Sequence, residues 1–483
     1  MSKINEIKEA LTFDDVLLVP QYSEILPNDV KLKTKLTKNI ELNVPLISAA
    51  MDTVTENETA IALAMLGGIG IIHKNLPIEG QAKLVRKVKR YSSWIIQNPL
   101  ALNPEDTIGN VKELIKNKGY SSFPVVDEDK LLIGILTNRD IRSSTNDDTL
   151  VKQAMVYDPI VANENITKKE AAELMNEKKI EKLLVTNTAG KLKGMITLRD
   201  IVRMKISPNA CVDKNGRLRV GAAIGPNDLD RAKALVAEDV DVIVIDTAHG
   251  HSKNVIDAIK KVKKMGVDVI AGNIATGVAA KALIDAGADA LKVGIGPGSI
   301  CTTRVIAGVG VPQIYAIEEV CQVAKKSKIP VIADGGIRYS GDIAKAIGIG
   351  ASSVMMGSVF AGTEESPGRI VYVGGRKYKQ YRGMGSINAM MKGSKDRYGQ
   401  KRIKEANKLV AEGVEGIVPY KGTIQEVVYQ MLGGLKSAMG YSGCQTIDKL
   451  RINAKFIKIT NAGLKESHPH EITITQESPN YSV

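Results

Sequence analysis

The sequence predicts an α/β fold in which a closed (β/α)8 barrel, a TIM barrel, carries an inserted second module. Two observations indicate this: a helix followed by a short apolar strand recurs along the chain, and a different repeat interrupts that series. The 483 residues exceed one ordinary core, so at least two domains are expected. A doubly wound open sheet is the alternative, but the chain has no strand-linked GxGxxG fingerprint followed by an acidic residue.

Eight apolar segments are the candidates for the barrel strands. Four of them end the recurring helix–strand units Ala60–Lys74, Ala232–Thr247, Ala280–Gly294 and Ala344–Ser358. The other four are Val44–Ala50, Val220–Gly225, Val267–Asn273 and Pro330–Gly336. Near-continuous apolar runs are typical of parallel strands that are buried on both faces. The residues at or just after the ends of these segments are Asp52, His73, Gly225, Asp246, Asn273, Gly294, Asp334 and Gly357. In a barrel the carboxyl ends of the strands meet at one face, where we expect the functional site.

The inserted module is a tandem repeat. Phe123–Ile141 resembles Leu183–Ile201 at a spacing of 60 residues, and each copy ends in Thr-x-Arg-Asp at the start of a predicted helix. The repeat resembles a pair of CBS domains, which would divide residues 94–205 into 94–150 and 151–205 and leave 1–93 and 206–483 to the barrel. That resemblance implies that adenine or guanine nucleotides are held through Thr137, Asp140, Thr197 and Asp200. Helix capping is the alternative role for these four side chains, and the two roles are compatible.

The loop Gly294–Arg304 carries the strongest chemical signal. It follows the strand-like segment Ala290–Val293 and places a thiol, Cys301, beside two hydroxyls and Arg304. A nearby positive charge or a helix amino terminus makes a thiolate nucleophile plausible, whereas a tight turn with an inert thiol is the alternative.

The remaining composition excludes several classes of protein. The other cysteines, Cys211, Cys321 and Cys444, are far apart and have no zinc-site spacing, which favours reduced thiols in the cytoplasm. The net charge of +13 is scattered, and aromatic residues make up only 4%, so nucleic acid binding is not expected. No 18-residue apolar run predicts a membrane span, and the first six residues lack the apolar core of a signal peptide.

Two further patterns predict a phosphate site and a lid. Asp334–Gly336 and Gly357–Ser358 end the seventh and eighth strands, where backbone N–H groups form the usual phosphate site of such barrels. Residues 379–414 are rich in Gly, Lys and Met and have no clear apolar stripe, which indicates a mobile flap or disorder.

The chain resembles the IMP dehydrogenase family over nearly its whole length. The motifs that carry the resemblance are Leu11–Leu18, Val44–Thr55, Gly294–Arg304, Asp334–Arg338, Met356–Ser358, Tyr381–Ser386, Asp396–Tyr398 and Glu466–His470. The resemblance implies NAD-dependent oxidation of inosine 5'-monophosphate (IMP) to xanthosine 5'-monophosphate, the committed step of guanine nucleotide synthesis. The sulfur of Cys301 would add to the purine and form a thioimidate, and Arg397 with Tyr398 would activate the water that hydrolyses it. Thr303 would be an accessory proton acceptor.

The resemblance also implies the binding residues. Asp334 would hold the ribose hydroxyls of IMP, Ser299 and Ser358 its phosphate, and Glu412 its base. The other implied IMP contacts are Gly335, Gly336, Gly357, Tyr381, Arg382, Gly383, Met384 and Gly385. NAD would lie against Asp246, Asn273, Gly294, Ile295 and Gly296, although Asp246 is alternatively a helix-capping acid. A potassium ion would be held by carbonyls of Gly296, Gly298 and Cys301, together with Glu466, Ser467 and His468 of a neighbouring subunit, which implies a homotetramer.

Two rival functions remain at this point. GMP reductase shares the barrel, the cysteine loop and the phosphate turns, but its chain is typically shorter and lacks the CBS pair. A catalytically inactive barrel that senses nucleotides is the other. The Arg397–Tyr398 pair and the inserted repeat favour the dehydrogenase over the first, and intact catalytic residues disfavour the second. The flap departs from the family pattern at Asn388, Gly399 and Ala411, which leaves its rigidity and inhibitor response open.

Overall fold

The structure is a computed structural model, and it describes residues 7–91, 95–97, 99–118, 122–198, 201, 207–476 and 478–481. The chain divides into two compact units. The larger contains residues 1–89, 209–213 and 218–483, and the smaller contains residues 90–208 and 214–217. In the described part of the chain, no helix has the length and apolar character needed to cross a membrane.

The larger unit contains a closed barrel of eight parallel strands, which confirms the predicted fold. In chain order these strands are β1 (Leu46–Ser48), β2 (Ile69–Ile72), β3 (Gly221–Ile224), β4 (Val242–Asp246), β5 (Asp268–Ile274), β6 (Ala290–Val293), β7 (Val331–Asp334) and β8 (Ser353–Met356). Each strand pairs with its neighbours in sequence, and β8 closes the barrel on β1 with Val354 opposite Leu46. All eight predicted segments therefore match a barrel strand, and only β5 extends past its predicted segment, by one residue.

A helix follows every barrel strand. The principal helices, in chain order, are Asn57–Met65, Ile78–Tyr91, Leu229–Ala237, Lys253–Lys263, Gly277–Asp285, Gln313–Ala324, Ser340–Gly348 and Ile424–Tyr441. The short helices Thr303–Ile306, Ser358–Ala361, Ile387–Lys392, Ile447–Asn453 and Asn461–Glu466 lie in the connections and the carboxyl-terminal region. The last principal helix packs against both Ser340–Gly348 and Asn57–Met65, which completes the ring of helices around the closed sheet.

Apolar side chains fill the interior of the barrel. Residues that point inward from the strands, including Ile47, Ile71, Val244, Ile270 and Ile332, are fully buried. The hairpin of strands Thr34–Lys35 and Glu41–Leu42 adds Leu36 and Ile40 to the same cluster. It is tied to the first residue of β5 by the Thr37 hydroxyl, which donates to Asp268 at 2.5 Å. This hairpin therefore packs at the amino-terminal end of the barrel, opposite the carboxyl ends of the strands.

The connection after β8 adds a small sheet above the barrel. Strands Ile370–Val373, Arg376–Arg382 and Glu415–Pro419 pair antiparallel, and the flap residues 383–414 are held between the last two. Elsewhere, Val16–Leu18 pairs with Phe456–Lys458.

The smaller unit shows the repeat as two sheets. One contains Ser122–Val126, Leu132–Thr137 and Val156–Tyr157, and the other contains Ile96–Gln97, Val161–Asn163, Lys182–Thr186 and Leu192–Thr197. Helices Ile108–Lys118, Asn138–Ser143, Val151–Ala154 and Lys168–Glu177 accompany them. Thr137 is the N-cap of Asn138–Ser143. The Asp140 carboxylate accepts from the Thr137 N–H at 2.8 Å and from its hydroxyl at 2.6 Å, so the capping role is present for Asp140. Thr197 ends its strand, and Asp200 lies outside the described residues.

Candidate active site

A cavity of about 130 Å³ opens at the carboxyl ends of the barrel strands. Most of the residues that the sequence singled out line it: Asp246, Asn273, Gly294, Ile295, Gly296, Gly298, Cys301, Thr303, Asp334, Gly335, Gly357, Tyr381, Gly383, Met384, Gly385, Arg397, Tyr398 and Glu412. They come from separate strand ends and from the flap. The fold thus brings together residues that are far apart in the chain: Asp246 and Glu412 are separated by more than 160 positions.

Three of the remaining candidates line a second cavity, of about 210 Å³. These are Ser299, Gly336 and Ser358, the residues expected near a phosphate. Arg304 and Arg338 also line this space, so its walls combine hydroxyls with positive charge. Pro297 lines both cavities, which makes them neighbours across the cysteine loop.

The cysteine loop is braced against the flap. The N–H of Thr302 donates to the carbonyl of Glu412 at 3.0 Å, and the N–H of Val414 donates to Ile300 at 3.0 Å. The Cys301 sulfur lies 3.2 Å from the Thr303 hydroxyl and is half-buried, open to the cavity. Arg304 donates to the carbonyl of Ile295 in its own loop at 3.0 Å and to that of Val311, beyond the loop, at 2.6 Å, so it holds the loop's shape.

The other three thiols lie in unreactive surroundings. Burial raises the pKa of Cys211 and that of Cys321 to about 12, and it also raises the pKa of Cys444. A thiol with a raised pKa is a poor nucleophile near neutral pH because little thiolate is present. Cys301 is therefore the one cysteine that combines access to the cavity with a polar neighbour.

Lys292 is the functional residue that the sequence analysis missed. It points into the barrel from β6 and is 2% exposed. Its ammonium donates to Asp246 at 2.8 Å and to Asp334 at 2.8 Å, and it also contacts Asn273. The Asn273 amide in turn donates to Asp334 at 2.9 Å. A lysine inside an apolar strand was the available signal, because lysine is almost never fully buried unless it is paired.

The flap lies across the mouth of the cavity, and its catalytic candidates face the strand ends. The guanidinium of Arg397 contacts the carboxylate of Asp246, and the carbonyl of Arg397 accepts from the N–H of Ala248 at 3.1 Å. Burial raises the pKa of Tyr398, and Arg397 acts in the opposite direction. Gly385 lets the Tyr398 ring pack close to the backbone, since a Cβ at Gly385 would lie 2.8 Å from that ring.

Arg382 is placed differently from the other substrate candidates. Its guanidinium donates to Asp52 at 3.0 and 2.5 Å, and it does not line either cavity described above. Burial acts to raise the pKa of Asp52, but hydrogen bonds from Arg382 and Asn75 outweigh it and leave that pKa below its ordinary value. The Arg382 side chain thus anchors the base of the flap to the loop after β1.

The tail residues lie apart from the cavities. Glu466 ends the helix Asn461–Glu466, the Ser467 hydroxyl donates to Gly463 at 2.7 Å, and the His468 ring lies 2.9 Å from the hydroxyl of Tyr481. Within one chain, the tail residues therefore do not join Gly296, Gly298 and Cys301.

Residues 10–470 match the family described as the IMP dehydrogenase / GMP reductase domain. The chain belongs to this family. It is 56% identical over 486 residues to the inosine-5'-monophosphate dehydrogenase of Aquifex aeolicus, a match that covers 99% of each chain. It is 55% identical over 477 residues to that of Helicobacter pylori strain 26695, covering 98% of this chain and 99% of the relative.

Solved GMP reductases are also similar to this member of the family. A cysteine-to-alanine variant of GMP reductase from Trypanosoma brucei, in complex with guanosine 5'-monophosphate, superposes with a TM-score of 0.89 at 40% identity. The match covers 98% of this chain and all of that one. This GMP reductase thus also spans the inserted module, so the module alone does not separate the two activities. Two observations still favour the dehydrogenase over the reductase: the higher identity to the dehydrogenases and the Arg397–Tyr398 pair.

Proposed function

We propose that this enzyme oxidises IMP to xanthosine 5'-monophosphate with NAD, by way of a covalent intermediate on Cys301. The observation that carries the proposal is the meeting of an open thiol, the acid Asp334 and the flap pair Arg397–Tyr398 at one cavity. The names of the dehydrogenase relatives, matched over almost the whole chain, support the same reaction.

In the first half-reaction the Cys301 sulfur forms a bond to C2 of the hypoxanthine ring. A hydride then leaves C2, so the purine is oxidised by two electrons and stays attached as a thioimidate. Bound NAD supplies the hydride acceptor. Thr303 lies close enough to the sulfur to take part in the transfer of the thiol proton. Asp334 accepts hydrogen bonds from the ribose hydroxyls, and the charge of Lys292 compensates the burial of that carboxylate.

In the second half-reaction water adds to C2 and the thiolate leaves. Arg397, paired with Tyr398, orients this water and accepts its proton, helped by the low-dielectric site. Arg397 contacts Asp246, a residue expected on the nicotinamide side of NAD. One Asp246 oxygen accepts from Lys292 and the other contacts Arg397, so the flap here occupies a group expected to bind NAD. The flap position seen here therefore suits the stage after reduced cofactor has left.

The site residues fit the two expected non-protein groups. Asp246, Asn273 and the backbone of Gly294–Gly296 offer the carboxylate, amide and peptide groups that a nicotinamide riboside needs. The carbonyls of Gly296, Gly298 and Cys301 suit potassium, since neutral carbonyl oxygens can replace its hydration shell. Glu466, Ser467 and His468 of a neighbouring subunit would complete that shell, and the active assembly is then a homotetramer.

The smaller unit is proposed to be the regulatory CBS pair, residues 94–205. Its duplicated strand–turn–strand pattern supports this, and Thr137, Asp140, Thr197 and Asp200 would contact adenine or guanine nucleotides. The four unpaired cysteines favour the cytoplasm as the place where the enzyme works.

One assay tests the proposed function against its rivals. The protein is incubated with IMP, NAD and KCl, and NADH is followed by its absorbance; a parallel reaction contains GMP and NADPH. Formation of NADH and xanthosine 5'-monophosphate is expected. Consumption of NADPH with GMP alone would instead identify a reductase, and no turnover in either reaction would identify a catalytically inactive barrel.

A further inference from the structure

The flap is held at a second place, away from the cavity, by a lysine that follows β2. Lys74 is 4% exposed, and its ammonium contacts the carboxylate of Asp396. Asp396 immediately precedes Arg397, and both lie in the short 3-10 helix Ser394–Tyr398. Lys74 lines neither described cavity, and its contact with Asp396 links it to the flap.

The surroundings of Lys74 are shaped to receive that carboxylate. A Cβ at Gly225, the residue after β3, would lie 2.1 Å from an Asp396 oxygen and 3.2 Å from the Lys74 nitrogen. The Asp396 carboxylate therefore fills the space that the missing side chain of Gly225 leaves. Next to Lys74, the Asn75 amide donates to the flap carbonyl of Ala389 at 3.1 Å.

The compensation of the buried Lys74 charge depends on the position of the flap. Burial lowers the pKa of Lys74, and the charges of Asp396 and then Asp228 oppose that effect, while Arg397 adds to it. Removing one partner of a buried ion pair leaves an uncompensated charge, which is strongly destabilising. A lysine buried beside Arg397 is thus compensated mainly when Asp396 lies in its present position.

We infer that Lys74 is a positioning residue for the hydrolytic half-reaction: it binds Asp396 and so holds Arg397 against the end of β4. The inference rests on the proposed function and assigns part of it to a residue outside the cavity. Hydride transfer should not depend on this contact, because Cys301, Asp334 and the expected cofactor residues belong to the barrel. The flap residues expected to contact IMP, Gly383–Gly385 and Glu412, lie near the two ends of the flap and not beside Asp396 in the sequence.

The test compares three variants of the full chain by stopped-flow absorbance with IMP, NAD and KCl. Lys74→Met removes the ion pair. Gly225→Ala places a methyl group in the space that the Asp396 carboxylate fills, without changing a charge. Lys89→Met is the matched control, since Lys89 is also 4% exposed and pairs with Asp213 and Asp241 at 2.9 and 2.8 Å, near the other end of β4.

The first two variants should show an unchanged burst of NADH and a steady state slower by about 10–100-fold, because an error of about 1 Å in position can cost about 10²-fold. Purine nucleotide should accumulate on Cys301, and the KM for IMP should stay the same. Lys89→Met should keep the wild-type ratio of burst rate to steady-state rate. Adding Asp396→Asn to Lys74→Met should slow hydrolysis no further, since the two residues act as one unit.

Two results would overturn the inference. One is an equal slowing of burst and steady state in Lys74→Met, and the other is a wild-type steady state in both Lys74→Met and Gly225→Ala. Failure of the proposed function is distinguishable, because the wild-type protein would then form no NADH from IMP.

Discussion

Arg397 of the flap and Asp246 at the end of β4 are in direct contact, although 150 residues separate them in the chain. Asp246 also accepts from Lys292, so a single carboxylate joins the flap to the buried centre of the barrel. The contact joins the group expected to activate water to the group expected to bind the cofactor. Substitutions on either side of this contact can therefore be used to measure the two half-reactions separately.

Arg397→Ala should separate the two steps. The barrel residues still attack IMP and transfer hydride, but the adduct is hydrolysed slowly. A stopped-flow trace should show a burst near one NADH per site, followed by a steady state slower by about 10²–10⁴-fold, the usual contribution of a positioned acid–base group. An absent burst with slowed hydride transfer would assign Arg397 to the first step instead.

Cys301→Ala should abolish NADH formation and leave IMP binding nearly intact. The residues expected at the phosphate, which line the neighbouring cavity, are unchanged by the substitution. Equilibrium binding of IMP measures the second part, and Cys444→Ala is the control because its thiol lies in the buried carboxyl-terminal region. Full turnover by Cys301→Ala would contradict the assignment of the nucleophile.

Lys292→Met should lower both stability and activity. The substitution leaves Asp246 and Asp334 close together without their shared cation, and breaking a buried pair costs about 3–5 kcal/mol. Denaturant titration measures the loss. The exposed pair of Lys281 with Asp285 supplies the control, since Lys281→Met should cost less than about 1 kcal/mol. An equal, small loss in both variants would show that Lys292 does not hold the two acids together.

Replacing residues 94–205 with a short linker should leave an active barrel. The eight strands and the residues around the active-site cavity all lie outside that range. The expected result is a kcat for IMP oxidation within about tenfold of the full chain, and nucleotide effects on activity should disappear. A helical deletion variant that binds IMP but does not oxidise it would assign the module a part in catalysis.

The sequence predicted the barrel well because its signals are local. Each strand appears as an apolar run that ends in glycine or a polar residue, and burial on both faces of a parallel strand produces that pattern directly. The same reasoning found the cysteine loop, because its glycines and its thiol lie within eleven consecutive residues. The similarity to dehydrogenases of known name then extended these local patterns to a reaction.

Local sequence patterns did not predict which charged groups form ion pairs. Arg382 was expected near the substrate, yet its guanidinium binds Asp52, 330 positions away. Lys74 and Asp396 are 322 positions apart, and neither stood out as a partner of the other in the sequence. Such pairs form only when barrel closure brings distant strand ends and the flap to one face.

The sequence by itself determined the strands, the candidate nucleophile and the glycine turns, since burial pattern and residue type are properties of short segments. Only the tertiary structure decided that Lys292 lies between Asp246 and Asp334, and that Arg397 shares the first of these acids. The physical reason is that a buried charge must find its partner in space, and the partner's place in the chain is set by how the barrel closes.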